Sequence, residues 1–316
     1  MDGLARLPLT LTNLSSGWRQ RTLKAAIDCV GVGVHSGRRV SLTIHPAAAN
    51  HGIVFRRTDL GRDIAARFDH VIDTHLCTAL ADPAMQSVRV GTVEHLMAAL
   101  TALGIDNTLI ELDGPEVPIL DGSAAPFVFL LDCAGSVELD APRRVIEIRR
   151  TTRVTDGEAW AELRPLGPAA RAAQPVLEMD LSIEFAAAAI GRQSVSLRLT
   201  PDSFRHQIAA ARTFAHADEV EQLQAAGLAL GGSLQNAIVV DGDTILNPGG
   251  LRMDNEFASH KLVDAIGDMG LAGGVLHGRY AAHRPGHTLN NRLLRALFAN
   301  AASWSTVTVD PLVAAA

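Results

Sequence analysis

The rhythm of apolar and polar positions changes several times along the chain. After a polar opening, Gln20–Lys24 starts a β-rich region. Residues 30–34 (VGVGV) predict a glycine-interrupted strand, and residues 39–45 (RVSLTIH) alternate with period two, as a half-buried strand does. A turn over 46–51 leads to a strand at 53–57. Over 93–103 the apolar spacing becomes helical and stops at Gly104, a suitable C′ glycine. Residues 107–112 return to strand, Gly114-Pro115 and Asp121-Gly122-Ser123 are turn chemistry, and a second helix begins over 125–131. The pattern restarts after Pro142-Arg143-Arg144. Strands are predicted at 145–148, 159–163 and about 177–185, then helices at 203–211 and 218–226. A glycine-rich corner at 230–233 precedes a strand at 237–240, a helix at 256–268 and a closing helix at 291–298. Each half runs strands, helix, strand, helix, which hints at duplication. The division expected is a polar leader over 1–18, an N-terminal α/β domain over 19–141 and a C-terminal α/β domain over 142–316.

Composition narrows the classes. A chain of 316 residues, 47% hydrophobic and 20% charged, is globular and long enough for two domains and a sizeable core. The formal net charge of -6 argues against a basic nucleic-acid-binding face, and no polybasic tract is available for an anionic membrane. No apolar run approaches the ~18 residues of a membrane helix. The N-terminus lacks the compact apolar stretch of a secretion signal. Cys29, Cys77 and Cys133 form no CxxC pair, which fits a reducing compartment and buried small hydrophobic roles. The expectation is a cytoplasmic protein with no integral membrane segment and no nucleic-acid partner.

The helix over 256–268 carries the most informative residues. His260 and Asp264 lie four apart, on one helical face and roughly 6 Å apart along the axis. Both can reach one small cation. Asp268 continues that stripe, because each step of four advances only about 40°. Two ligands are too few, and the best candidate for the third is His95, preceded by Glu94 in TVEHLMAAL. Zinc held by two imidazoles and one carboxylate keeps a free position, the arrangement of a catalytic site. An HxxxD pair alone is more often a surface hydrogen bond. Here both motifs sit in apolar helices, where a polar stripe is expensive without partners. A further polar cluster, His283-Arg284-Pro285-Gly286-His287 with Asn290 and Asn291, follows downstream.

The strings VGVGVHSG, TVEHLMAALTALGIDN, EVPILDGSAAPF, ARTF, LGGS, NAIVVD, HKLVDAIGD and GHTLNN, taken in order, resemble the zinc-dependent UDP-3-O-acyl-N-acetylglucosamine deacetylases of lipid A (lipopolysaccharide) biosynthesis. The resemblance runs from about residue 20 to residue 298. It implies an α+β fold of two similar domains, each a β-sheet with a pair of α-helices, the helices sandwiched between the sheets. It implies His95, His260 and Asp264 as zinc ligands and Glu94 as general base. On an ideal helix Glu94 points away from His95, so that role requires a bent or terminal position. His287 matches the catalytic histidine opposite the metal, Asp268 the carboxylate that orients it, and Thr213 the hydroxyl beside the tetrahedral oxygen. Lys261 emerges about 100° round the helix from His260, suited to substrate phosphate or hydroxyl oxygens. The acyl channel is implied at Leu76, Cys77, Phe214, Val220, Ala229, Gly232, Ser233 and Leu234. Arg164 stands where a nucleotide-contacting lysine is common, while His75 and His216 replace apolar residues. His35 reads as structural, and His45, His70 and His277 carry no evident chemistry.

The implied activity is removal of the N-acetyl group from a UDP-linked, 3-O-acylated glucosamine by a monomeric zinc hydrolase. Imidazole and carboxylate also accept iron(II). Two alternatives stay open on sequence: a zinc amidohydrolase acting on another acylated metabolite, and a non-catalytic binder of nucleotide sugars or lipid precursors.

Overall fold

A computed structural model describes residues 18–167 and 175–307 of the chain. Most of the expected leader lies outside the described residues. Its last member, Trp18, is buried against Val145 and Val307. Five longer helices are described: α1 (Glu94–Leu103), α2 (Ala125–Ala134), α3 (Ala217–Ala225), α4 (Glu256–Gly270) and α5 (His287–Ala299). The helix expected over 203–211 is instead a short turn at Pro201–Ser203 that widens into a π-helical turn at Phe204–Ile208.

The strands form two principal sheets. One has five strands in the order Ile27–Val32, Arg39–Pro46, Thr108–Leu112, Ile53–Arg57, Arg62–Ala65. The other has seven and is organised around Val275–His283, which pairs with Val145–Ile148, Ala159–Arg164 and Leu177–Glu184. Sequence rhythm did not announce that strand. It is buried on both faces over most of its length, so it lacks the alternation of a half-solvated strand. Gly278 within it is required by close approach: a Cβ there would meet Ile148 Cγ1 at 2.6 Å and the Arg164 carbonyl oxygen at 2.9 Å. Pro142 ends the strand Ser136–Pro142, which pairs with Arg19–Leu23, and Val145 begins the seven-stranded sheet.

Helix α3, with no buried residue, packs against the strands Phe214–His216 and Ile238–Asp241 of a smaller sheet, whereas α1, α2, α4 and α5 lie between the principal sheets and one continuous apolar core joins them. It includes Leu42, Ile44 and Phe55 from the first sheet, Leu96 and Met97 from α1, Leu262, Val263 and Ile266 from α4, and Met179 and Tyr280 from the second sheet. The fold is therefore α+β. Helix α4 is buried almost all round, with Lys261 and Gly270 only partly so. Glycine inside a helix costs about 1 kcal/mol against alanine, yet α4 has one at 267. A Cβ at Gly267 would collide with the Glu94 carbonyl, so the missing side chain is what lets α4 lie against the start of α1. Gly104 (φ 71°) ends α1, its N–H bonded to the Thr101 carbonyl and that of Ile105 to Leu100. No described helix is long and apolar enough to cross a membrane. Of the cysteines expected to be buried, Cys133 is exposed because it falls on the outer side of α2, while Cys29 and Cys77 are half-buried.

Candidate active site and metal centre

Helices α1 and α4 bring His95, His260 and Asp264 together, with one ligand atom of each within 4.8 Å of the others. The Nε2 atoms of His95 and His260 lie 3.6 and 3.3 Å from Asp264 Oδ1. All three side chains are buried. The chemistry of this trio calls for a cation. His260 Nδ1 is 3.0 Å from the Ala211 carbonyl oxygen, which can only accept, so Nδ1 carries the proton. Nε2 is then the ring atom that faces the Asp264 carboxylate, and in the neutral ring its lone pair points at a carboxylate oxygen. Two acceptors facing each other repel unless positive charge, a proton or a metal ion, lies between them. Burial lowers the pKa of His95, and the neighbouring His260 adds to that, which keeps its own lone pair available despite Asp264. Burial resists the charge on Asp264, but His260 and Lys261 outweigh it and hold the carboxyl well below its ordinary range. These are the protonation states a divalent metal requires of its ligands.

Glu94 is the first residue of α1, which resolves the direction problem raised by its neighbour. Thr92, two residues earlier, has φ 55°, a left-handed conformation costing a non-glycine residue about 1–2 kcal/mol. Its hydroxyl donates to Glu116 Oε1 at 2.9 Å, and the same carboxylate accepts the N–H groups of His35 and Ser36. Glu116 thus anchors both the entry to α1 and the loop after the first glycine-rich strand. Glu94 is buried, and one oxygen, Oε2, accepts the Thr78 N–H at 3.0 Å. Burial pushes its carboxyl up to about 7, with nearby His287 opposing.

His287 begins α5 and faces Glu94 across the site, Nε2 to Oε1 at 3.9 Å. Its Nδ1 donates to Asp268 Oδ2 at 2.9 Å. Burial opposes charge on this ring, but the Asp268 carboxylate overrides it, aided by Glu94 and Asp264, and lifts the imidazolium to about 9. Asp268 also accepts from Asn290 Nδ2 at 2.8 Å and, on Oδ1, from the Thr78 hydroxyl at 2.6 Å. Asn290 in turn accepts from the Tyr280 hydroxyl. Asn290 lies three residues after His287, a helical spacing visible in the sequence. Nothing in the sequence pointed to Thr78, Tyr280 or Glu116.

The remaining predicted residues fall into nearer and farther groups. Lys261 Nζ donates to Asp264 Oδ2 at 3.0 Å and sits 5.5 Å from the Phe214 ring centroid. Phe214 stands edge-on to Phe257 and lies 6.4 Å from the His260 ring. Thr213 precedes it, its N–H on the Gly122 carbonyl. Cys77, adjoining Thr78, lies beside Gly91 and Thr92. Burial, with Glu94 nearby, pushes its thiol up to about 12. Leu76 (φ 68°) is exposed. Gly232 and Ser233 belong to the corner 229–236, closed by Gly232 N–H to the Ala229 carbonyl and Ser233 N–H to Asn236 Oδ1. Arg164 ends its strand in an ion pair with Glu162. His75 is exposed, and His216 starts α3 beside Phe185. Among the histidines without evident chemistry, His45 pairs with Glu111, His70 with the Ala65 carbonyl, and His277 accepts the Val176 N–H.

The sequence matches the family described as UDP-3-O-acyl N-acetylglycosamine deacetylase over residues 20–299. Relatives include the UDP-3-O-acyl-N-acetylglucosamine deacetylases of Actinobacillus pleuropneumoniae serotype 3 (46% identical), Haemophilus influenzae strain 86-028NP (48%) and Vibrio cholerae serotype O1 (48%). Each alignment spans 296 residues, 92% of this chain and 94% of the relative.

Proposed function

This chain belongs to the UDP-3-O-acyl N-acetylglycosamine deacetylase family, and from that premise we propose that it hydrolyses the acetamide of UDP-3-O-acyl-N-acetylglucosamine, releasing acetate and the free 2-amine. The observation that carries the reading is the pairing of a cation-demanding trio with two proton carriers of opposite bias. Glu94 and His287 face each other beside His95, His260 and Asp264. In this reading those three hold zinc, with iron(II) as the competing ion. When bound, such a cation supplies Lewis acidity, making water a competent nucleophile near neutral pH and polarising the amide carbonyl.

The protein's own groups handle the protons. Glu94 Oε1 accepts a proton from the attacking water, its other oxygen being committed to Thr78. His287 enters the reaction charged, stabilises the oxyanion and delivers a proton to the departing nitrogen as the C–N bond breaks. Asp268 maintains that charge and fixes the ring, and the Thr213 hydroxyl supplements the oxyanion contacts. Lys261 and Arg164 meet substrate oxygens, Arg164 at the nucleotide end. Phe214, Cys77, Gly232 and Ser233 line the path of the acyl chain, and exposed Leu76 (42%), Leu230 (55%) and Leu234 (39%) supply apolar surface for it. The reading extends to a cytoplasmic monomer whose product enters lipid A synthesis, with an N-terminal domain over 19–141 and a C-terminal one over 142–316.

The test is acetate release from the nucleotide sugar by purified protein, with metal analysis on the same sample. The expected result is about one zinc per chain and acetate release that stops on chelation while circular dichroism stays unchanged. Metal-loaded protein that binds the substrate without releasing acetate overturns the reading in favour of a binder. Equal turnover of the analogue lacking the 3-O-acyl chain favours a less selective amidohydrolase.

A further inference from the structure

All three polar groups of Thr78, a residue 1% exposed at the edge of the site, are engaged by the catalytic region. Its N–H binds Glu94 Oε2 at 3.0 Å, its hydroxyl donates to Asp268 Oδ1 at 2.6 Å, and its carbonyl accepts the N–H of Val93, the N-cap of α1. We infer that Thr78 is a positioning residue that fixes the proton acceptor and the proton donor of the reaction relative to each other. This rests on the deacetylase reading above.

The geometry makes the role specific. Glu94 has two oxygens, and the Thr78 N–H occupies the one turned away from His287, leaving Oε1 3.9 Å from His287 Nε2. Asp268 also has two oxygens. The hydroxyl takes Oδ1, so the carboxylate plane is set and Oδ2 serves His287 and Asn290 together. The hydroxyl contact has the short length of a charge-assisted O–H···O⁻ bond, which is stronger than a neutral one. Remove it and Asp268 is held through one oxygen only, free to turn about its terminal bond, with Oδ1 buried and short of a donor. The ring of His287 then follows its partner, and the gap into which the amide must fit is no longer defined. The hydrogen bonds of Thr78 go to Glu94, Asp268 and Val93 and not to the three proposed ligands, so it acts through Glu94 and Asp268. The sequence separation of 190 residues between Thr78 and Asp268 means the link exists only in the folded chain.

The experiment compares T78V, which removes the hydroxyl while keeping the branched shape, with T78S, which keeps the hydroxyl, in the full zinc-loaded chain. Loss of an outer partner of this kind predicts a kcat for T78V about 10–100-fold below wild type. KM should stay within about twofold, since ground-state binding is not altered. T78S should recover most of the rate, with metal content equal in all three proteins. The slowly exchanging Nδ1 proton of His287, followed at low field by NMR, should be protected in wild type and T78S and lost in T78V. Should T78V fail to fold, T78A carries the same readouts. A T78V enzyme with wild-type kcat, or a T78S enzyme as slow as T78V, overturns the assignment. Absence of acetate release from the wild type, with the NMR contrast intact, sinks the deacetylase reading and leaves the anchoring role standing.

Discussion

Asp268→Asn isolates the charge that holds His287 in its acidic form. The substitution is nearly isosteric. The asparagine oxygen can accept from His287 Nδ1 and Asn290 Nδ2, the two donors now 2.9 and 2.8 Å from Oδ2. The new amide nitrogen faces the Thr78 hydroxyl, whose oxygen can accept. What disappears is the negative charge. Burial alone drives a histidine below its ordinary 6.5, yet His287 stands at about 9, so the surrounding carboxylates, chiefly Asp268, overcome burial by at least that interval. The interval corresponds to about 3 kcal/mol. With the charge gone, only the smaller support of Glu94 and Asp264 opposes burial, and the ring falls toward 6.5. At pH 8 the wild-type ring is then about 90% charged, and a variant ring at 6.5 would be about 3% charged, a loss of up to about 30-fold; at pH 6 the two differ by less than about twofold. The assay is kcat/KM for acetate release as a function of pH, whose limbs report the free enzyme. The wild type should lose activity as pH rises through about 9, and the variant at a lower pH, by up to about two pH units. An alkaline limb that does not move, or a loss equal at every pH, would falsify the assignment of His287 as the charged acid.

Other substitutions probe separate parts of the account. Glu94→Gln should keep full metal content while kcat falls about 10²–10⁴-fold, the usual effect of removing a positioned base; unchanged turnover removes Glu94 from the reaction. In chelated protein, both Glu94 (about 7, up from 4.5) and His287 (about 9, up from 6.5) have folded pKa values above their unfolded ones. Stability from each is complete below its unfolded pKa and is lost as pH rises through the folded one, so these two groups contribute two downward steps in urea midpoint between pH 4.5 and 9, against which His95, its pKa lowered, adds stability as pH rises. E94Q should erase the lower step, and its persistence would reject burial of Glu94 as the cause. Gly267→Ala should destabilise by about 1–3 kcal/mol through contact with the Glu94 carbonyl, seen as a lower melting temperature and reduced activity; a neutral result would mean that α1 and α4 can separate without consequence.

The readable parts of this protein were the local ones. His260 and Asp264 could be paired on paper because four residues of helix fix their spacing whatever the rest of the chain does. Gly104 was legible as a helix stop for the same reason. Glu94 was ambiguous because its direction depends on where α1 begins, and that is set by the left-handed Thr92 and its bond to Glu116. Thr78 was invisible: a threonine before a short strand carries no mark of the carboxylates it will meet. The strand Val275–His283 escaped notice because a glycine, two histidines and an arginine interrupt its apolar run, and its partners come from three distant segments. Cys133 shows the opposite failure, a residue type usually buried that lies on the outward side of an otherwise apolar helix.

The order in which the metal-binding side chains leave the ribosome follows from their positions. His95 leaves the ribosome well before His260 and Asp264. A growing chain therefore presents one of the three proposed ligands until α4 has emerged and packed against α1. In the reading proposed above, metal loading of this trio therefore follows the docking of the two helices, and chains cut short before α4 lack the proposed site.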